Sequence, residues 1–141
     1  MIESTSNRRA VLATAMALAV AHADPANTMG ATTVHQLRIY EIFDRNKAAF
    51  HERFRDHAAP VMARHGFNIA AMWEARGESG PEFVYLLRWP DEATMAERWA
   101  SFMADEEWSR VKDESAARHG QLVGRIQSRV MRLTPYSASL G

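Results

Sequence analysis

Hydrophobic and polar residues alternate in several short stretches of the chain, and this alternation predicts β-strands. In the first stretch, 34–42, Leu37 and Ile39 fall on one face and Arg38 and Tyr40 on the other. The run 82–89 is rich in aromatic and β-branched residues, which also favours a strand. Two more strands are predicted at 67–76 and 124–133. The segment 77–81 contains Gly and Pro and predicts a turn between the strands 67–76 and 82–89.

Apolar residues at helical spacing separate these strands and predict helices that each pack one face on a sheet. Through 46–65 the apolar positions are Phe50, Phe54, Ala58, Val61 and Met62. Asp44 is placed to cap this helix, Pro60 removes a backbone donor and predicts a kink, and Gly66 ends the helix. A second helical region opens at Asp91 and a further helical turn at Asp105, with an apolar stripe made of Met95, Trp99, Phe102, Met103, Trp108 and Val111.

The order β-α-β-β-α-β predicts an α+β protein with the ferredoxin-like split βαβ sandwich. Helices cover one face of such a sheet and leave the other face open. We expect the open face to carry Arg38, Tyr40, Trp73, Tyr85 and Leu87. A surface that is both aromatic and charged indicates association or ligand binding, and two copies could pack these faces together and enclose a cavity.

Residues 1–23 contain the three parts of a cleavable export signal in order. A polar segment ends in Arg8-Arg9, an uncharged alanine-rich run covers 10–21, and Ala21-His22-Ala23 forms an A-x-A cleavage site. The run is shorter than the roughly 20 residues of a membrane span, so no stable span is expected. Its weak hydrophobicity behind paired arginines favours the twin-arginine route over the general secretory route. A retained amphipathic helix is the alternative to export.

This division gives a signal at 1–23, a flexible leader at 24–32, a folded domain at 33–136 and a tail at 137–141. It predicts a bacterial protein that is periplasmic or secreted. The whole chain has 17 basic and 17 acidic residues and no cysteine. Disulfides and cysteine-ligated metals are therefore excluded, and the balanced charge gives no electrostatic basis for a nucleic-acid partner.

Two histidines in the first helix are candidates for chemistry. His57 and His65 are eight residues apart, so they lie two turns and about 11 Å apart on one helical face. That separation is too long for both to bind one metal ion, and no metal site is expected. Each is either a hydrogen-bonded side chain near the core or, for His57, a general base.

Arg38 and Tyr40 are candidates to stabilise an anionic or enolate oxygen through hydrogen bonds. The alternative is a pair that is satisfied across a dimer interface. Tyr85 and Trp73 complete the predicted cavity residues, whereas Trp99 and Trp108 fit packing between helix and sheet.

The segment His35-Gln36-Leu37-Arg38-Ile39-Tyr40 resembles the opening strand of the NIPSNAP family. Similar features follow in the same order within about 34–133, namely His57-Ala58-Ala59-Pro60, His65-Gly66, Trp73, Arg88 and Asp105-Glu106-Glu107-Trp108. The chain departs from the family pattern at Tyr85 and Leu87, where His and Trp are frequent, and at Glu106, where Pro is frequent.

The resemblance implies a dimeric α/β-barrel, and hence a homodimer, in a family whose members mostly lack an established reaction. One hypothesis is an exported dimer of unestablished activity that binds a small molecule in the barrel cavity, with no cofactor. A second is a cofactor-free monooxygenase or isomerase acting on a small aromatic or enolisable substrate, with His57 as base and Arg38 and Tyr40 as oxyanion stabilisers. A third is a haem protein, because the dimeric α/β-barrel superfamily implied by the resemblance also includes haem proteins. It would need a histidine facing the cavity.

Overall fold

A computed structural model describes residues 32–140 of the chain. The predicted export signal and all but the last residue of the predicted leader lie outside the described residues, so both stay predictions. No helix within residues 32–140 is long and apolar enough to cross a membrane.

Four antiparallel strands form one sheet, and they are β1 (Val34–Glu41), β2 (Asn68–Gly77), β3 (Gly80–Trp89) and β4 (Ile126–Met131). The order across the sheet is β2-β3-β1-β4, so β1 and β3 are central and β2 and β4 are edges. With helices between β1 and β2 and between β3 and β4, this is the predicted α+β ferredoxin-like fold, which is confirmed.

The chain between β1 and β2 is helical but is not one regular helix. It consists of a 3-10 turn (Asp44–Asn46), α1 (Lys47–Arg53), a π-helical turn (Phe54–Ala58) and α2 (Ala59–Arg64). The Ala59 N–H donates to the Phe54 carbonyl, five residues back. Pro60 follows directly, and a proline crowds the carbonyl four residues earlier. The wide turn is therefore the local irregularity that the proline predicts.

Two further helices, α3 (Glu92–Met103) and α4 (Glu106–His119), lie between β3 and β4. They begin at Asp91 and Asp105, as predicted, and both side chains act as caps. The Asp91 carboxylate accepts a hydrogen bond from the Thr94 N–H at 2.6 Å, and the Asp105 carboxylate accepts one at 3.0 Å from the N–H three residues further on.

The predicted cap at Asp44 is wrong. Asp44 lies inside the 3-10 turn, and no side chain caps the start of that turn or of α1. Its carboxylate instead lies 3.6 Å from a guanidinium nitrogen of Arg76, on strand β2.

The hydrophobic core lies between the helices and one face of the sheet. The predicted helix stripe is buried at every position, with exposed fractions of 5% or less for Phe50, Phe54, Ala58, Val61 and Met62. The sheet contributes Val34, Phe83, Tyr85, Leu87 and Trp89, and α3 and α4 contribute Phe102, Trp108 and Val111.

The predicted assignment of the sheet faces is wrong for four of the five residues named. Directly opposed residues of an antiparallel pair share a face, and Arg38 opposes Tyr85 in the β1–β3 pair. That face is covered by helices, since Tyr85 packs on Phe54 and Leu87 is completely buried. Tyr40 belongs to the same face.

The sheet faces were assigned wrongly because, in β1, long amphipathic side chains alternate with aliphatic ones. Arginine and tyrosine can bury their stems and rings against a core while keeping a polar end satisfied. The centre of the open face is therefore aliphatic and consists of Leu37, Ile39, Val84 and Leu86. Trp73, which was predicted there, lies beside it on β2, and Gln127 and Arg129 lie beside it on β4.

Candidate functional site

A cleft of about 260 Å³ lies between the sheet and the helices. Its residues come from β1, α1, the π-helical turn, α2, α3, α4, β4 and the loop before β4. Most of its walls are aromatic or aliphatic, and its wall residues include Tyr40, Phe50, Phe54, Met62, Trp99, Phe102, Trp108, Val123 and Ile126. The polar exceptions are cationic and are Arg38, Arg53 and Lys112.

Arg38 is held between aromatic rings at the wall of this cleft. Its guanidinium carbon lies 4.5 Å from the ring centre of Trp99 and 5.5 Å from that of Tyr40. Such cation–π contacts orient the group without neutralising it. The Nε atom is buried and has no hydrogen-bond partner within residues 32–140. A buried donor without a partner is costly, and a ligand oxygen would satisfy it.

The ionisation of Arg38 reflects two opposing effects. Burial acts to lower its pKa, whereas the phenol groups of Tyr40 and Tyr85 act to raise it, and the net result is a pKa above the ordinary value. The guanidinium is therefore a permanent positive charge at the cleft wall.

Tyr40 reaches the cleft, and Tyr85 lies behind it. Their hydroxyl oxygens are 2.6 Å apart, a short hydrogen bond in which either can donate. Tyr85 is completely buried, and this burial raises the pKa of its phenol well above the usual range. Tyr85 therefore positions the Tyr40 hydroxyl and does not line the cleft.

Gln36 joins the sheet to the aromatic wall. Its Oε1 accepts hydrogen bonds from the indole N–H groups of Trp89 at 3.0 Å and Trp99 at 2.8 Å. Its Nε2 donates to the Ser128 hydroxyl at 3.0 Å. Because Trp99 packs against the Arg38 guanidinium, Gln36 fixes the orientation of both.

Two further cationic side chains, Arg53 and Lys112, contact the ring of Trp108. The Arg53 guanidinium carbon lies 5.5 Å from the Trp108 ring centre, and the Lys112 ammonium lies 5.8 Å from it. Arg53 also donates to the Ser115 hydroxyl at 3.0 Å, and burial lowers its pKa.

The structure does not bring the predicted base to this cleft. His57 is exposed and lines a separate shallow groove between α1 and α4. His65 is half-buried and hydrogen-bonds the Asp105 carboxylate at 2.7 Å. This is the alternative of a hydrogen-bonded side chain near the core, which the sequence left open. Trp73 is half-exposed on edge strand β2 and lies outside the cleft wall.

Sequence reasoning missed Arg53, Lys112 and Gln36, and it assigned Trp99 and Trp108 to packing alone. One signal was available. Arg53 and Lys112 lie next to apolar helix positions, Phe54 and Val111, which places their heads close to the core boundary. Gln36 had no such signal, because its role depends on two indoles more than 50 residues away.

The cleft wall carries three cations and, among the described residues, no carboxylate and no imidazole. Within residues 32–140, no three His, Asp or Glu side chains lie close enough together to hold a metal ion. The arrangement is chemically suited to bind a molecule that is largely apolar and carries negative charge.

The family model named NIPSNAP matches residues 35–138, most of the chain. A NIPSNAP-like domain protein from Burkholderia xenovorans has a similar structure, with 17% identity, a TM-score of 0.64, and coverage of 77% of this chain and 91% of that chain. A NIPSNAP family protein from Agrobacterium tumefaciens is also similar, with 17% identity, a TM-score of 0.61, and coverage of 74% and 96%. No curated protein matches the chain at a significant level.

Proposed function

This chain belongs to the NIPSNAP family, and on that premise we propose that it is an exported homodimer that binds a small molecule in the cleft between its sheet and helices. The observation that carries the proposal is Arg38 at the wall of an apolar cleft, with a buried Nε that has no partner within residues 32–140. A polar group placed in this way in an apolar cleft is typical of ligand sites.

The cofactor-free monooxygenase or isomerase is supported less well. It needs a general base within hydrogen-bonding reach of the substrate. His57 is exposed in another groove, and the described cleft wall offers only cations and the Tyr40 phenol as titratable groups. Binding therefore accounts for the site better than proton abstraction does.

The homodimer is supported by the open face of the sheet. In β1 and β3 its centre is formed by the opposed pairs Leu37–Leu86 and Ile39–Val84. Trp73, 48% exposed, extends this surface on the neighbouring edge strand. A contiguous apolar face of this kind favours burial against a second copy.

Export is supported by the sequence of residues 1–23 alone, with its Arg8-Arg9 pair and its A-x-A site. The mass of the protein recovered outside the cytoplasm tests it. Cleavage after Ala23 makes Asp24 the first residue, whereas an uncleaved chain contradicts this part of the proposal.

The ligand site is tested by blocking the cleft. Val123 is half-buried at its wall, so Val123→Trp should fill it. With benzoate and benzamide as probes, saturation-transfer NMR should show binding to the purified full-length chain and loss of binding in Val123→Trp.

Leu133→Trp is the control, because Leu133 is 48% exposed just after β4 and does not line the cleft. It should leave binding unchanged. If Val123→Trp keeps its fold by circular dichroism and binds the probes as well as the unaltered chain does, the cleft is not the site.

A further inference from the structure

Three cations from three different elements line the cleft, and they are Arg38 on β1, Arg53 on α1 and Lys112 on α4. None of them forms an ion pair with a carboxylate of residues 32–140. Elsewhere in the domain basic side chains do pair, for example Arg132 with Glu92 at 2.7 Å. What distinguishes these three cations is that they line the same apolar cleft, whose described wall holds no carboxylate.

The partners of these cations are neutral. Arg38 contacts the rings of Trp99 and Tyr40, and Arg53 and Lys112 both contact the ring of Trp108. Aromatic faces and the Ser115 hydroxyl stabilise cations but leave their charge in place. Partly buried charges without a counterion are unfavourable. A negatively charged ligand would supply the counterion, and this makes its free energy of binding more favourable.

One negative charge would balance only one of the three cations. Resting on the proposed function, we infer that the ligand is a small organic dianion with an aromatic or conjugated body, in which Arg38 binds one acidic oxygen and Arg53 and Lys112 supply the attraction for a second charge. Aromatic walls favour a flat unsaturated body through ring stacking. A volume of about 260 Å³ limits that body to a small molecule.

Two chemical sources provide such a dianion: a dicarboxylate, or a phosphate monoester. Guanidinium groups bind both kinds of oxyanion through paired N–H donors, and an ammonium acts on both as a point charge. Isophthalate and phenyl phosphate represent the two sources on the same aromatic ring, and benzoate represents the monoanion.

The experiment compares these probes by titration calorimetry on the purified full-length chain at constant salt. Isophthalate or phenyl phosphate should bind about tenfold more tightly than benzoate, which corresponds to one additional charge interaction of about 1.4 kcal/mol. The probe with the higher affinity identifies which of the two sources the cleft prefers.

The double variant Arg53→Gln, Lys112→Gln should weaken dianion binding about tenfold more than it weakens benzoate binding, so that the two affinities become similar. If the removal of Arg53 prevents folding, Lys112→Gln alone repeats the test, and the dianion preference should then decrease by a smaller factor. The matched control is Arg110→Gln, Arg118→Gln, which removes the same charge from exposed positions of α4 outside the cleft wall. It should preserve the dianion preference.

Equal affinity for benzoate and both dianions would overturn this inference and leave the proposed function standing. A dianion preference that the control abolishes and the cleft variants retain would also overturn it. Absence of binding by every probe, benzamide included, would instead overturn the proposed function.

Discussion

Gln36 is the residue on which the aromatic wall of the cleft depends. One amide oxygen accepts both the Trp89 and Trp99 indole N–H groups, and the whole side chain is 5% exposed. A buried donor that loses its acceptor costs about 1–3 kcal/mol, so its removal affects the fold as well as the site.

We predict that Gln36→Met lowers the free energy of unfolding by about 2–4 kcal/mol, because the buried indole N–H of Trp89 and the partly buried one of Trp99 lose their acceptor. Urea denaturation followed by circular dichroism measures the change. Gln127→Met is the control, since Gln127 lies on the open face and, among residues 32–140, its side chain hydrogen-bonds only the exposed Arg129. A loss in Gln36→Met no larger than in the control would show that the indoles find other partners.

The roles of single residues were predictable only in part from sequence. Arg38 and Tyr40 were selected because guanidinium and phenol groups bind oxyanions, and both do line the cleft. His57 was selected beside the apolar helix stripe, but one residue in a helix is about 100° of rotation. Ala58 is therefore buried while its neighbour His57 is exposed. Hydrophobic periodicity identifies the buried positions of a helix, but it does not show whether a residue next to them in sequence is buried or exposed.

At the scale of elements, α2 and α4 are joined through Asp105. Its carboxylate caps α4 through the Trp108 N–H and accepts a hydrogen bond from the His65 ring at the end of α2. The His65 hydrogen bond, followed by the backbone N–H of Trp108, lowers the pKa of Asp105 to about 2. Arg64 adds a further contact at 3.3 Å.

This shift gives a pH dependence with a definite sign. A carboxyl whose folded pKa is lowered contributes stability above its unfolded pKa of about 3.9, and that stability is lost as the pH falls toward about 2. We predict that Asp105→Asn lowers the melting temperature by a few degrees at pH 7, and that the difference shrinks steadily between about pH 4 and pH 2.

Thermal unfolding by circular dichroism across that pH range measures this difference. Asp91→Asn is the matched control, because Asp91 caps α3 through Thr94 and has no hydrogen bond from a histidine within residues 32–140. It should show a smaller pH-dependent loss. A difference for Asp105→Asn that stays constant from pH 7 to pH 2 would contradict the assigned role of the charge.

The elements themselves were largely predictable, because each follows from a local signal. The helix starts at Asp91 and Asp105 and the turn before Pro81 are determined by neighbouring residues and are confirmed. The face of β1 was not predictable in this way. Leu37 and Ile39 alternate with Arg38 and Tyr40, so either face could be buried, and the decision depends on Tyr85 opposing Arg38 across the sheet.

At the scale of the whole molecule, the open sheet face and the cleft are separate surfaces on opposite sides of the sheet. The open face is proposed to bind a second copy, whereas the residues described above as lining the cleft face the helices on the other side of the sheet. Ligand binding and dimerisation can therefore be disrupted independently.

We predict that Leu86→Glu converts the dimer to a folded monomer, because it places a charge at the apolar centre of the open face. Light scattering at micromolar concentration measures the mass, and circular dichroism confirms the fold. Met103→Glu is the control, since Met103 is 54% exposed at the rim of the cleft on the helical side. A monomeric mass for the unaltered protein would contradict the dimer.

The most direct test of the ligand site is the NMR signal of the Arg38 Nε–H group. This donor is buried at the cleft wall and has no partner within residues 32–140, so an acidic ligand in the cleft should bind it. In a 15N-labelled protein titrated with isophthalate or phenyl phosphate, one arginine Nε–H resonance should move downfield with saturation, and that resonance should be missing in Arg38→Gln. An Arg38 resonance that stays fixed while the ligand binds elsewhere would contradict the account.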